Sequence, residues 1–213
     1  LGRMLMVGHV LEYHPSFIAL QQQVMAGRLG EIHYLYSNRL SLGQVRKEEN
    51  VLWSFAPHDI EMLLTITQQT PKQVLAIGSQ MLQPGIDDLV QVRLEFSKGL
   101  QGHVLLSWIN PIKEQRLVVI GNQAMAVFDG VTGALSIQEC SFSAKTGLVK
   151  GRLETIDAPG IEPLTLECKA FLESIRSRWP SKTNARQSLN VVAVLEAAQA
   201  SLQLGEWVPP LLD

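Results

Sequence analysis

The feature that most constrains this chain is a change of hydrophobic period near residue 74. Val90, Val92, Leu94 and Phe96 alternate with Gln91, Arg93, Glu95 and Ser97, a repeat of two that suits a half-buried strand. Lys98-Gly99 reads as a tight turn, and residues 100–108 return as a second strand. Residues 74–81 form a strand before them. Residues 116–120 and 124–128 flank Gly121-Asn122-Gln123 as another hairpin, and residues 135–140 and 153–156 extend the series. Consecutive hairpins predict an antiparallel meander.

Helical periods lie on either side of this block. Phe17, Ile18, Leu20, Val24 and Met25 predict an amphipathic helix over 15–25, opened by Pro15 and closed by Gly27 and Gly30. A strand over 31–42 follows, with Ile32, Tyr34 and Tyr36 on one face and His33, Leu35, Ser37 and Arg39 on the other. Residues 43–50 read as a polar loop. A second helix runs from Ser54 or Pro57 to Gln69, with Ile60, Leu63, Leu64 and Thr67 as its stripe. Two more close the chain, one through Leu164, Cys168, Phe171, Leu172, Ile175 and Trp179, the other over 189–204. At the start, residues 4–10 are an apolar run suited to a strand buried on both faces of a parallel sheet. The expected fold class is α+β, a largely antiparallel open sheet with helices packed on one face. The uncovered face is then a surface for homo-oligomer formation.

Composition removes several classes of function. The chain has 213 residues, 46% hydrophobic and 18% charged, enough for one good-sized core. A formal charge of -2 gives no general attraction for nucleic acid. No apolar run approaches the ~18 residues of a membrane span. Cys140 and Cys168 sit in unrelated contexts, as in a reduced, cytoplasmic protein with two free thiols, although spacing alone does not exclude a disulfide. There is no G-x-G-x-x-G, P-loop, H-E-x-x-H, C-x-x-C or G-x-S-x-G, and no metal-ligand cluster.

The strongest local signal is Asn50-Val51-Leu52-Trp53-Ser54-Phe55-Ala56-Pro57-His58-Asp59-Ile60. Pro57 placed in the first turn of a helix sets His58 near the positive end of the helix dipole. That field disfavours imidazolium and leaves a neutral proton acceptor. Pro, His and Asp are also simply good residues for starting a helix.

Four segments carry a resemblance. Val7-Gly8-His9 with Tyr13-His14-Pro15, Gly27-Arg28-Leu29-Gly30-Glu31-Ile32, Ser54 to Asp59, and Ser188-Leu189-Asn190 through Leu195-Glu196-Ala197-Ala198 and Ser201 occur in order. Together they resemble the C-terminal domain of the glucose–fructose oxidoreductase/inositol dehydrogenase/MocA family. With Arg46 ahead of it, the stretch 50–60 is most similar to the branch acting on UDP-amino sugars. The resemblance implies that residues 1–10 are a remnant of an N-terminal dinucleotide-binding Rossmann domain, its last strand. Residues 11–213 are then the substrate-binding and oligomerisation domain. The opening Leu1-Gly2-Arg3 fits a piece of a longer protein.

The same resemblance implies NAD or NADP as cofactor and a sugar or nucleotide-sugar substrate, with His58 as the catalytic base. Ser54, Arg39, Arg46 and Asp59 are candidate substrate-binding residues. Arg39 and Arg46 suit a phosphate or carboxylate, or else belong to a solvated loop and edge. His9 and Tyr13 are candidates for the cofactor side, or else packing residues. No metal is expected. Two departures stand out. Ser54 occupies a position that is often Asp in the family, and it cannot act as a carboxylate partner to His58. The family's Glu-Lys-Pro motif, whose Lys assists catalysis, is expected upstream of Leu1, so the 213 residues alone are expected to be inactive. The alternative is a sugar-binding or dimerisation module without a cofactor domain.

Overall fold

Side-chain alternation sorts the strands onto two faces of one sheet, seen in a computed structural model that describes residues 3–143 and 147–211. The opening Leu1-Gly2 lies outside the described residues. Among the described residues there are eight strands: β1 (Ile32–Leu42), β2 (Gln73–Ser79), β3 (Leu89–Glu95), β4 (Gln101–Ser107), β5 (Ile109–Gly121), β6 (Ala124–Asp129), β7 (Leu135–Ser143) and β8 (Gly147–Ile156). Their order across the sheet is β2-β3-β4-β1-β5-β6-β7-β8. One rung runs Ala76, Val92, Val104, Ser37, Leu117, Phe128, Leu135. All seven are buried, because this is the face that the helices cover.

The pairing is not the plain meander expected from consecutive hairpins. β1 lies in the middle, parallel to β4 and antiparallel to β5. The cause is local. The chain leaves β4 beside Leu40, crosses the end of β1 at Trp108, and returns along the other edge as β5. Gly43 N donates to the Trp108 carbonyl (2.9 Å) at this crossing. Trp108 is fully buried and its Nε1 donates to Asp88 Oδ1 at 2.6 Å. A connection of one residue between β4 and β5 cannot fold back as a hairpin, so the two strands flank a third.

Four α-helices among the described residues complete the fold: α1 (Pro15–Met25), α2 (Val51–Thr67), α3 (Pro163–Ser177) and α4 (Ala185–Leu204). α1 packs on β6 and β7, α2 on β1, β3 and β4, and α4 on β2 and α2. The opposite face is uncovered. There Tyr36 stacks on His103 with ring centroids 5.0 Å apart, and Tyr34 and Ile77 are exposed. The turn between α1 and β1 needs glycine. Gly30 has φ +70°, and a Cβ at Gly121 would overlap the Leu29 carbonyl oxygen. That turn lies on the β5–β6 hairpin, where Asn122 N donates to Glu31 O (2.9 Å) and Gln123 N to Leu29 O (3.1 Å).

Residues 4–10 do not form the buried parallel strand expected. Met6 makes one isolated bridge with Asn184, and Val7 N donates to Thr183 O at 2.9 Å. A strand buried on both faces needs neighbours along both edges, and among the described residues only the 183–184 segment supplies a partner. Val10–Tyr13 winds instead into a short 3-10 turn against which α2 and α3 pack.

Candidate functional site

α2 begins earlier than the sequence suggests. Asn50 is its N-cap, and the Asn50 side chain accepts from Trp53 N at 3.3 Å. The same side chain and Trp53 Nε1 both donate to Gln199 Oε1, each at 3.0 Å, which ties the helix start to α4. Pro57 is therefore inside the helix. It removes one backbone donor there, and the packed helix tolerates the loss. His58 lies two turns into the helix, beyond reach of the terminal dipole, which fades within the first turn. The dipole argument for a neutral His58 is thus replaced by another. Burial lowers the His58 pKa, the nearby Arg39 charge lowers it further, and Asp59 opposes both. His58 is half-buried, and its Nδ1 is enclosed without a hydrogen-bond partner.

Arg39 and Asp59 do not present free charge to a ligand. Asp59 is 1% exposed. It accepts from Ser37 Oγ at 2.5 Å and pairs with the Arg39 guanidinium through Nε. β1 parity places Ser37 and Arg39 on the covered face, where a guanidinium needs a carboxylate. Asp59 is correspondingly not a helix-start residue.

The remaining candidates separate. Ser54 is half-buried in the first turn of α2, and its i, i+4 spacing places it on the His58 side of the helix. Arg46 is exposed, with a 3.5 Å ion pair to Glu49. The loop holding it is tethered by Gln83 Nε2 on the Arg46 carbonyl (2.5 Å). His9 is 5% exposed, and its ring stands edge-on to His58 with centroids 6.1 Å apart. Burial, then the proximity of His58, lowers the His9 pKa to about 4. Tyr13 is 4% exposed. Its hydroxyl and Thr183 Oγ1 are 3.0 Å apart, and Lys182 Nζ lies 4.6 Å from its ring centroid.

Sequence reading missed three charged residues beside this pair. Glu12 is 3% exposed and Glu61 1%. Lys182 Nζ lies 3.8 Å from Glu12 Oε2 and also donates to the Glu12 carbonyl. Burial raises the Glu12 pKa. Burial, reinforced by Glu12 and opposed by Lys182, raises that of Glu61 to about 8. The available signal was a lone Glu in the run Ile60-Glu61-Met62-Leu63-Leu64, where an acid has no solvent to face.

Among the described residues, no group of His, Cys, Asp and Glu could hold a metal ion. Cys140 and Cys168 are free thiols. Among the described residues, no helix is long and apolar enough to cross a membrane.

A family model described as the GFO/IDH/MocA C-terminal domain matches residues 17–127. No curated protein sequence matches the chain. Among solved structures, UDP-N-acetylglucosamine 3-dehydrogenase GnnA from Acidithiobacillus ferrooxidans is similar with TM-score 0.81 and 22% identity, over 94% of this chain and 62% of that one. Levoglucosan dehydrogenase in complex with NADH and levoglucosan has TM-score 0.86 and 17% identity, over 99% and 67%. An NAD binding oxidoreductase from Klebsiella pneumoniae has TM-score 0.84 and 17% identity, over 97% and 66%. The chain thus spans 62% of the length of GnnA.

Proposed function

The chain belongs to the GFO/IDH/MocA C-terminal domain family, and on that premise we propose that it is the substrate-binding part of an NAD(P)-dependent oxidoreductase acting on a ring hydroxyl of a sugar or nucleotide sugar. The observation that carries this reading is His58. It is a half-buried imidazole held neutral by burial and by Arg39, with a second buried imidazole beside it. A neutral imidazole of this kind takes a hydroxyl proton. Nicotinamide, when bound, accepts the hydride that leaves the same carbon.

The described residues fit only the nicotinamide end of such a cofactor. His9 keeps a buried Nδ1 without a partner beside His58, whereas no glycine-rich phosphate cradle occurs in the sequence. The phosphates then belong to a further domain of a longer protein. His58 would accept the proton, Ser54 would hydrogen-bond a sugar hydroxyl, and exposed Arg46 would meet an anionic group such as a phosphate. Arg39 and Asp59 act indirectly: their buried pair fixes α2 to β1, and Arg39 keeps His58 uncharged.

The uncovered sheet face suits a second copy of the chain. It carries a depression of about 750 Å³ whose lining includes Tyr34, Ile77, Arg93 and His103. This face also favours the second reading, a dimerisation or sugar-binding module, because Ser54 gives His58 no carboxylate on its own helix face. A panel of free sugars and UDP-sugars, offered with NAD and with NADP to a protein carrying this chain as its C-terminal part, separates the two. Reduced nicotinamide formed with at least one sugar supports the enzyme. Sugar binding without reduction supports the module.

A further inference from the structure

An apolar stripe on a helix normally faces the core, and that of α3 does not. Leu164, Cys168, Phe171, Leu172 and Ile175 share one stripe of the helix, and Trp179 follows just past its C-cap, Arg178. All six are exposed. The two buried side chains of α3 are polar, Glu167 and Ser174. Ser174 Oγ donates to the Ala170 carbonyl at 2.9 Å within the helix. Glu167 is held against the segment leading into the 3-10 turn, where a Cβ on Gly8 would stand 3.7 Å from its Oε1. α3 thus rests on the turn through the face that carries its buried acid, and its apolar stripe adjoins that contact in the open. An exposed stripe of this size marks a surface that something covers.

Position decides what covers it. The 3-10 turn touches both α3 and α2, and its N-cap His9 faces His58. Any domain that brings a nicotinamide to His58 therefore sits within reach of α3. The residues ahead of the turn run the same way. Gly8 passes Glu167, Val7 N donates to Thr183 O, and Met6 bridges Asn184 in the connection from α3 to α4. Leu5 on that approach is exposed as well. The match to GnnA takes in 94% of this chain and leaves more than a third of GnnA outside it, enough for a further domain. The flanking charges Lys169, Glu173 and Arg176 are of both signs, which suits the polar rim of a protein contact better than an anionic lipid surface. A second copy has the uncovered sheet face. We propose that the stripe of Leu164, Phe171, Leu172 and Ile175, with Trp179, is the docking surface for the cofactor-binding domain of the longer protein. The proposal rests on the reading of this chain as the substrate-binding part of an oxidoreductase, and it adds where the other part sits. Docking there sets the distance between the nicotinamide and His58.

Cys168 lies within the stripe and serves as the probe, with Cys140, half-buried on β7, as the reference. The measurement is alkylation of the longer protein by iodoacetamide, followed thiol by thiol by mass spectrometry and compared with the same thiols in urea-unfolded protein. Docking is expected to slow Cys168 by about tenfold or more, equally at low and high protein concentration. Leu172→Glu should return Cys168 close to its unfolded rate while Cys140 keeps its wild-type rate, which shows that the fold is intact. The new carboxylate would itself slow a neighbouring thiol by raising its pKa, so a faster rate reports uncovering. Cys168 alkylated at its unfolded rate in the wild type would overturn the proposal. So would protection that grows with protein concentration, the mark of a second copy, or protection untouched by Leu172→Glu. No turnover enters the measurement. A shielded Cys168 in a protein that reduces no nicotinamide therefore defeats the functional reading alone, and an open Cys168 in an active dehydrogenase defeats this inference alone.

Discussion

A carboxylate at 1% exposure must be compensated, and Asp59 is compensated twice, by the Ser37 hydroxyl and by the Arg39 guanidinium. Truncating it should be costly because Arg39 would remain buried without a partner. Asp59→Ala is expected to destabilise the fold by about 3–5 kcal/mol, read as a lower denaturant midpoint. Arg39→Met with Asp59→Leu should recover much of that loss, since an apolar pair of similar size replaces a buried ion pair at little cost. The sequence carried half of this. The alternation of His33, Leu35, Ser37 and Arg39 placed all four on one face of β1, but alternation does not say which face helices will cover. Arg39 therefore read equally well as a ligand for an anion. His58 was legible as a neutral imidazole, though for the wrong cause, because the Pro57 rule for helix starts competed with the Asn50 cap. The cap governed the helix start, and burial took the place of the dipole.

At the scale of elements, the strands were legible and their neighbours were not. Val90 to Phe96 and the Lys98-Gly99 turn gave β3 and β4 to within a residue or two. β1 between β4 and β5 was missed, because the crossing at Trp108 is a tertiary event with no periodic signature. Residues 4–10 pair with residues 183–184 alone among the described residues, since an apolar run specifies burial, not the sheet partners that make a strand. The Gly27-Arg28-Leu29-Gly30 turn shows what a short motif can fix. Gly30 takes a positive φ and Gly121 admits the Leu29 carbonyl, so the α1–β1 turn and the β5–β6 hairpin close against each other. A methyl group at Gly121 meets backbone, which cannot swing aside. Gly121→Ala is expected to cost about 1–3 kcal/mol, and hydrogen exchange should speed up at the Asn122 and Gln123 amides. Unchanged exchange there would contradict the close approach.

For the whole molecule, the architecture puts the proposed assembly face and the proposed site on opposite sides of the sheet. Helices α1, α2 and α4 cover one side of the sheet, and the His9, Glu12, His58, Glu61 and Lys182 group lies around α2 and the 3-10 turn on that side. The uncovered face, with Tyr34, Ile77 and the Tyr36–His103 stack, lies away from it. Fold class and the uncovered face could be read from periodicity, whereas the buried acids could not, because charge at low exposure is visible only once the packing is known. The central claim is that His58 takes the substrate proton in a protein that also binds the nicotinamide. The most direct test is the rate of hydride transfer by that longer protein with His58→Ala, measured alongside NAD(P) affinity. The account predicts a fall of about 10²–10⁴-fold in the rate with cofactor affinity unchanged. A rate equal to that of the wild type would contradict it.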